Sequence, residues 1–133
     1  MRERARFAPS PTGPLHIGGV RTALFNYLIA KKSKGKFILR IEDTDSKRTV
    51  DGAEKHIIDS LEWLGLQVDE GPIRQSNRSQ LYKKHVDKLL KQGYAYYAFD
   101  SQEDLNSARE AGGIDFKYNV KTRMRLSNSF TVF

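Results

Sequence analysis

The stretch covering residues 6–19, RFAPSPTGPLHIGG, restricts the architecture of this chain more than any other. Ala5, Phe7 and Ala8 make a short apolar strand that runs into Pro9, Pro11 and Pro14. The locked φ angles and missing N–H groups of those prolines end a β-ladder there and force a turn. His16, Ile17, Gly18 and Gly19 then open a helix-periodic stretch, with Ile17, Val20, Leu24, Tyr27 and Leu28 as its apolar stripe. Lys31, Lys32, Lys34 and Lys36, with Ser33 and Gly35, supply the cations and small residues at which helices stop. Residues 37–41, FILRI, read as a second strand, short and apolar enough for a buried parallel sheet. Strand, helix, strand is a βαβ unit with a right-handed crossover, so the expected class is α/β.

A strand that turns sharply onto a helix start aims backbone N–H groups and the positive end of the helix at one spot, which suits phosphate. The three prolines hold that turn rigid, and Gly18 and Gly19 leave room for a planar or anionic ligand. The same pattern also fits a stiffened βα loop that binds nothing. The net charge of +7 is unevenly placed: residues 1–50 carry eleven Lys and Arg against four Asp and Glu, while the remainder balances. A basic half that also holds a phosphate-type loop favours polyanionic ligands.

Length and composition narrow the classes further. A chain of 133 residues can bury one modest core with a small appended lobe. With no cysteine, disulfides and thiolate metal sites are excluded. The charged start MRERARF lacks the apolar core of a signal peptide, and no apolar run approaches the length of a membrane span.

Downstream, Asp51-x-x-Glu54 has the form of a capping box for a helix with Ala53, Ile57, Leu61 and Leu64 facing inward and Gly65 at its stop. DEGPIRQSN, residues 69–77, breaks the helical patterns and sets the expected division into residues 1–72 and 73–133. Asn77-x-x-Gln80 is expected to cap another helix, with Tyr82, Val86, Leu89 and Leu90 inward and Gly93 after it. Residues 94–99 have strand-like aromatics, Ser101-x-x-Asp104 begins a short helix, and the tail from Gly112 is polar and mixed.

The run ending in HIGG resembles the HIGH signature of class I aminoacyl-tRNA synthetases, in the form carried by glutamyl-tRNA synthetases. RTALFNYL (residues 21–28), LRIEDTD (39–45) and GAEKHIIDSLEWLGLQVDEGP (52–72) agree with it in order and spacing. RQSNRSQLYKKHVDKLLKQGYAYYAF (74–99) and YNVKTRMRLSNS (118–129) resemble that family's acceptor-binding insertion. The resemblance implies the first half of a Rossmann-like catalytic domain over 1–72 and the start of an α/β insertion over 73–133. It further implies a cytoplasmic or organellar-matrix enzyme whose partners are L-glutamate, ATP and the tRNA acceptor end, with Mg²⁺ arriving alongside ATP. Zinc is not expected, because the stretch where some relatives bind it reads AYYAFDSQED. Related enzymes that glutamylate a modified tRNA base carry similar signatures, and a non-catalytic folding or binding fragment is the non-enzymatic alternative.

Activating glutamate brings an amino-acid carboxylate against the α-phosphate of ATP, so the site needs fixed positive partners. His16, at the helix mouth, can hydrogen-bond the phosphates or simply cap the helix. The resemblance assigns ATP to Thr12, His16, Gly18 and Gly19, with glycine standing where the signature has its second histidine. It assigns the glutamate side chain to Arg6, Ala8 and Ser10. Arg6 has the planar fork that matches a carboxylate, although a salt bridge to Glu42 or Asp43 would also occupy it. Glu42, at the carboxyl end of the second strand, can hold the substrate's α-ammonium group. Asp43, Thr44 and Asp45 either steer the terminal adenosine of tRNA or cap the following turn. Arg74 and Arg78 begin a basic face interleaved with tyrosines, a combination that suits RNA phosphates and an unpaired end. Lys31-Lys32-Ser33-Lys34 mimics the second class I signature but falls directly after the first helix, where a solvated basic end is expected.

Overall fold

In the computed structural model, which describes residues 2–114 and 116–119, FILRI becomes the middle of a three-stranded parallel sheet. Strand β1 (Arg4–Phe7) pairs with β2 (Lys36–Ile41), which pairs on its other edge with β3 (Glu70–Arg74). Helix α1 (Ile17–Lys32) connects β1 to β2, and α2 (Ala53–Trp63) connects β2 to β3. Burial alternates along β2: Phe37, Leu39 and Ile41 are almost wholly enclosed. They share a core with Phe7, Ala23, Ala30, Ile57, Leu61 and Leu66, so both helices cover the same face of the sheet. Arg4, Arg6, Lys36, Ile38 and Arg40 alternate onto the other face.

Helix α1 departs from expectation in how it is turned. Its core contacts are Ala23, Ala30 and Tyr27, the last set edge-on to Phe37 with ring centroids 5.5 Å apart. Ile17, Leu24 and Leu28, expected to face inward, are exposed together with Phe25 and Ile29. The helix is apolar nearly all round, so periodicity gave no unique inner face, and the small alanines won because they let the helix approach the sheet closely.

Helix α2 has the expected inner face of Ala53, Ile57 and Leu61, with Leu64 partly buried and Gly65 after it at φ +71°. The capping box does not form. Gly52 is the N-cap, at φ +75°, with no side-chain cap bond, while Glu54 turns to Arg74 (2.6 and 3.1 Å). A bidentate pair between helix and strand at this distance outweighs a local cap.

Residues 69–77, read from sequence only as a break, hold β3. Gly71 comes so close to β2 that a β-carbon there would lie 2.3 Å from the Leu39 carbonyl oxygen, and the pairing slips between Ile38 and Arg40. With Pro72 lacking a donor as well, this strand carries none of the usual strand signals.

The chain divides into two compact units, Met1–Leu81 and Tyr82–Phe133. Ser76–Arg78 form a 3₁₀ turn leading into helix α3 (Ser79–Lys91), so the expected Asn77 cap gives way to this turn. None of its residues is buried: Val86 and Leu89 are exposed, and Tyr82 and Leu90 are only partly covered. In the second unit, residues 94–99 form no strand, and Tyr97 stacks on Phe99 at 6.1 Å. Helix α4 (Gln102–Gly112) begins with the expected reciprocal capping box of Ser101 and Asp104. Asp100 is buried and accepts a hydrogen bond from the Tyr118 hydroxyl. Most of the YNVKTRMRLSNS stretch lies outside the described residues.

Two predictions concern stability. Leu61 is 1% exposed in the core, so Leu61→Ala should lower unfolding free energy by about 2–5 kcal/mol in urea titrations. Glu70 accepts hydrogen bonds from Arg4 (2.5 Å) and Lys36 (2.7 Å), which hold its carboxyl down from 4.5 to about 2. Its stabilising contribution is therefore complete above about pH 4.5 and disappears as the pH falls through about 2. Thermal melts of Glu70→Gln should show a shallower loss of stability across that acid range, and salt should flatten the wild-type curve similarly. Identical slopes with and without Glu70 would contradict this.

Candidate functional site

The turn between β1 and α1 is held from three sides. Glu42 N–H donates to the Pro9 carbonyl (2.9 Å), so residues 8–10 continue alongside the end of β2. Val50 N–H donates to the Pro11 carbonyl (2.9 Å), and Leu15 N–H reaches His56 Nδ1 on α2 (3.4 Å). A loop bonded to the next strand, the next loop and the next helix presents its side chains in one arrangement.

His16 is the N-cap of α1, and its Nδ1 accepts from Gly18 N–H at 3.1 Å. The capping role weighed from sequence is thus occupied. An imidazole that accepts at Nδ1 carries its neutral-form proton on Nε2, and that N–H remains a donor for a ligand at the helix mouth. Capping and phosphate recognition therefore use different nitrogens of the same ring.

The glycines have a reason that sequence did not reveal. A β-carbon on Gly18 would lie 3.0 Å from His16 Cε1 and 3.1 Å from its Nδ1. On Gly19 it would lie 2.6 Å from Leu15 Cδ1. The space beside these backbones is filled by the ring and by Leu15.

A cavity of about 470 Å³ opens at this corner, lined by Ser10, Thr12, His16 and Gly19 over a floor of Phe7, Pro9 and Ile57. Four of the expected site residues therefore share one cavity at the positive end of α1. Gly18, Arg6, Ala8 and Glu42 do not line it. Arg6 stands on the sheet face away from the helices, paired in register with Ile38. Its guanidinium makes no hydrogen bond or ion pair among the described residues, so the alternative salt bridges to Glu42 and Asp43 are not formed. Glu42 instead accepts from Arg40.

Asp43 accepts from Ser76 N–H (2.8 Å) and from the Ser76 hydroxyl (2.5 Å). Burial alone would raise its carboxyl, but the Ser76 hydrogen bonds outweigh that and hold it below the usual range. Thr44 and Asp45 are exposed, and the Asp45 carbonyl accepts from Arg48 N–H and the Thr49 hydroxyl, a turn structure. Arg74 is engaged by Glu54, whose hydrogen bonds raise its pKa further, and Arg78 is exposed. Lys31, first of the basic run after α1, is paired with Asp69 at 2.8 Å, while Lys32 and Lys34 are exposed.

Two side chains at the site went unnoticed in the sequence. His56 lies within the 52–72 stretch but drew no role there, and only its place on α2 reveals that it meets the loop. Arg40 had a signal: it is the one charged residue inside FILRI. Among the described residues no cluster of His, Asp and Glu could hold a metal ion, and no helix is long and apolar enough to cross a membrane.

The sequence profile of the class I tRNA synthetase catalytic domain, the group specific for glutamate and glutamine, matches residues 3–130. The glutamate–tRNA ligase of Azobacteroides pseudotrichonymphae is 57% identical over 99% of this chain and 26% of its own length. That of Flavobacterium psychrophilum is 58% identical over 96% of the chain and 28% of its own. A crystal structure of a glutamate tRNA ligase from Elizabethkingia meningosepticum, in complex with its amino acid, superposes with a TM-score of 0.81 at 51% identity, covering 92% of this chain and 27% of that one. The chain thus spans about a quarter of the length of the relatives it matches.

The His16–Gly18 contact yields a prediction. Alanine at position 18 should displace the imidazole by a few tenths of an ångström while leaving α1 at least as stable, because alanine favours helix. The His16 ring resonances of Gly18→Ala should shift in NMR spectra with no drop in melting temperature. Unshifted ring signals would show that the contact does not set the ring's position.

Proposed function

Because the chain belongs to the catalytic-domain family of class I tRNA synthetases for glutamate and glutamine, we propose that it forms the N-terminal quarter of a glutamate–tRNA ligase. In this reading it carries one half of the site that makes glutamyl-adenylate from ATP and passes the glutamyl group to the terminal ribose of tRNA. The observation that carries the reading is the convergence of Ser10, Thr12, His16 and Gly19 on one cavity at the positive helix end, beside the carboxyl end of β2.

Residues 1–72 then supply the first half of the catalytic domain, and residues 73–133 part of the acceptor-binding insertion, with β3 running on to Arg74 across that division. The triphosphate lies at the mouth of α1, where the His16 Nε2–H donates to phosphate oxygens as the substrate carboxylate attacks the α-phosphorus and pyrophosphate departs. Mg²⁺ arriving with ATP would supply charge neutralisation at the phosphates, held by the nucleotide rather than by a carboxylate cluster among the described residues. Arg6, planar and without an ion-pair partner among the described residues, takes the side-chain carboxylate of glutamate, with Ala8 and Ser10 beside it. Glu42 takes the α-ammonium group. Thr44 and Asp45 meet the tRNA end, Arg78 meets its phosphates, and Arg74 joins them only by exchanging Glu54 for phosphate. Translation's own compartment, cytoplasm or organellar matrix, is the place for this chemistry. The exposed apolar residues of α1 support a larger protein around this unit.

Calorimetric titration of a glutamyl-adenylate analogue tests the proposal. Arg6→Ala and His16→Ala in the longer enzyme should each weaken binding about tenfold or more, as loss of a charge-assisted or phosphate hydrogen bond does. A glutaminyl analogue bound as tightly as the glutamyl one would refute the assigned specificity. The 133-residue chain alone should not charge tRNA, and robust charging by it would overturn the division of the site.

A further inference from the structure

Arg40 lies on the face of β2 that turns away from the helices. It is half-buried, and its Nε is enclosed with no hydrogen-bond partner among the described residues. An enclosed donor without an acceptor destabilises the fold, and the single bond from Nη2 to Glu42 Oε1 is modest return for desolvating a guanidinium. Folding alone does not account for this side chain.

Its one hydrogen-bond partner among the described residues is Glu42, two residues on along the same strand direction. The Glu42 backbone is anchored through its N–H to Pro9, and one carboxylate oxygen, Oε1, is taken by Arg40. The other oxygen, Oε2, accepts no hydrogen bond among the described residues. A free glutamate side chain has three rotating torsions that a ligand would have to freeze on binding. With one oxygen held by a planar, always-charged donor, that freezing is done before the ligand arrives.

We propose that Arg40 is a positioning residue for the amino-acid substrate, fixing Glu42 through Oε1 so that Oε2 is presented to the α-ammonium group. The proposal rests on the reading that Glu42 binds that group. Arg40 itself does not touch the substrate. Its positive charge also tempers the carboxylate, so the pair favours an ammonium that meets the free oxygen directly over one that merely passes nearby.

The test uses steady-state aminoacylation by the longer enzyme. Arg40→Met keeps the stem and removes both the donors and the charge, including the unpaired Nε, so no loss of melting temperature is expected. KM for glutamate should rise about tenfold, the scale of a hydrogen bond to a charged group, with KM for ATP and kcat little changed. Arg40→Lys should recover part of the loss. Inhibition by glutarate, which lacks the α-amino group, should be unaffected by either substitution. An unchanged KM for glutamate in Arg40→Met would overturn the proposal, as would equal weakening of glutarate, or a joint rise in both KM values with a lowered melting temperature. Glu42→Gln separates the two levels. If it raises KM for glutamate and Arg40→Met does not, only the role of Arg40 fails. If Glu42→Gln leaves KM unchanged, the assignment of Glu42 fails and takes this proposal with it.

Discussion

The whole carboxyl end of the sheet hangs on β2. It pairs with a strand on each edge, and its inward side chains Phe37, Leu39 and Ile41 are the anchor of the core. Where the strand ends, Glu42 N–H continues the ladder by one bond to Pro9, and the proline-rich turn is thereby fastened to the sheet. Remove that strand and neither the cavity nor the carboxylate beside it has a fixed position. Asp69 adds a second clasp at the opposite end: its carboxylate receives Phe37 N–H (2.7 Å) and Lys31 (2.8 Å), and those bonds, Lys31's first, hold its pKa down. The start of β2, the end of α1 and the approach to β3 meet at that single side chain.

Rigidity at the turn has a functional logic. A ligand site at a helix mouth works only if the N–H groups and the ring beside them are placed before the ligand enters. Here the placement is over-determined, with bonds to β2, to Val50 and to His56, and with Gly18 fitted under the imidazole. The charged residues of the opposite sheet face divide into two kinds. Arg4, Lys36 and Glu70 satisfy one another, whereas among the described residues Arg6 has no ion-pair partner and Arg40 is satisfied only in part. Mutually neutralised charges of this kind tie neighbouring strands together.

How far the sequence could be read depended on whether the deciding contact was local. Strand β1, the turn, α1, β2, the inner face of α2 and the Ser101 capping box were all legible, because alternation, helical spacing, proline and cap residues act within a few positions. The facing of α1 was not, since a helix apolar on most sides offers several inner faces and only the sheet chooses among them. Strand β3 was hidden by Gly71 and Pro72, and the Asp51–Glu54 cap lost to Arg74, twenty residues beyond Glu54. The helix from Ser79 was read correctly in place, while its supposed inner residues Val86 and Leu89 lie exposed.

At the site the same boundary runs between residue type and residue partner. By itself the sequence determined that a proline-fixed turn leads a strand into a helix with histidine at its mouth, because bond geometry and backbone sterics enforce that locally. It also determined which family's signature this is. Only the tertiary structure decided that His16 spends Nδ1 on capping and keeps Nε2, that Gly18 makes room for that ring, that Glu42 is clasped by Arg40, and that Arg6 has no counter-ion among the described residues. Partners separated along the chain are chosen by which strands and helices are brought side by side, and no spacing rule within one segment encodes that choice.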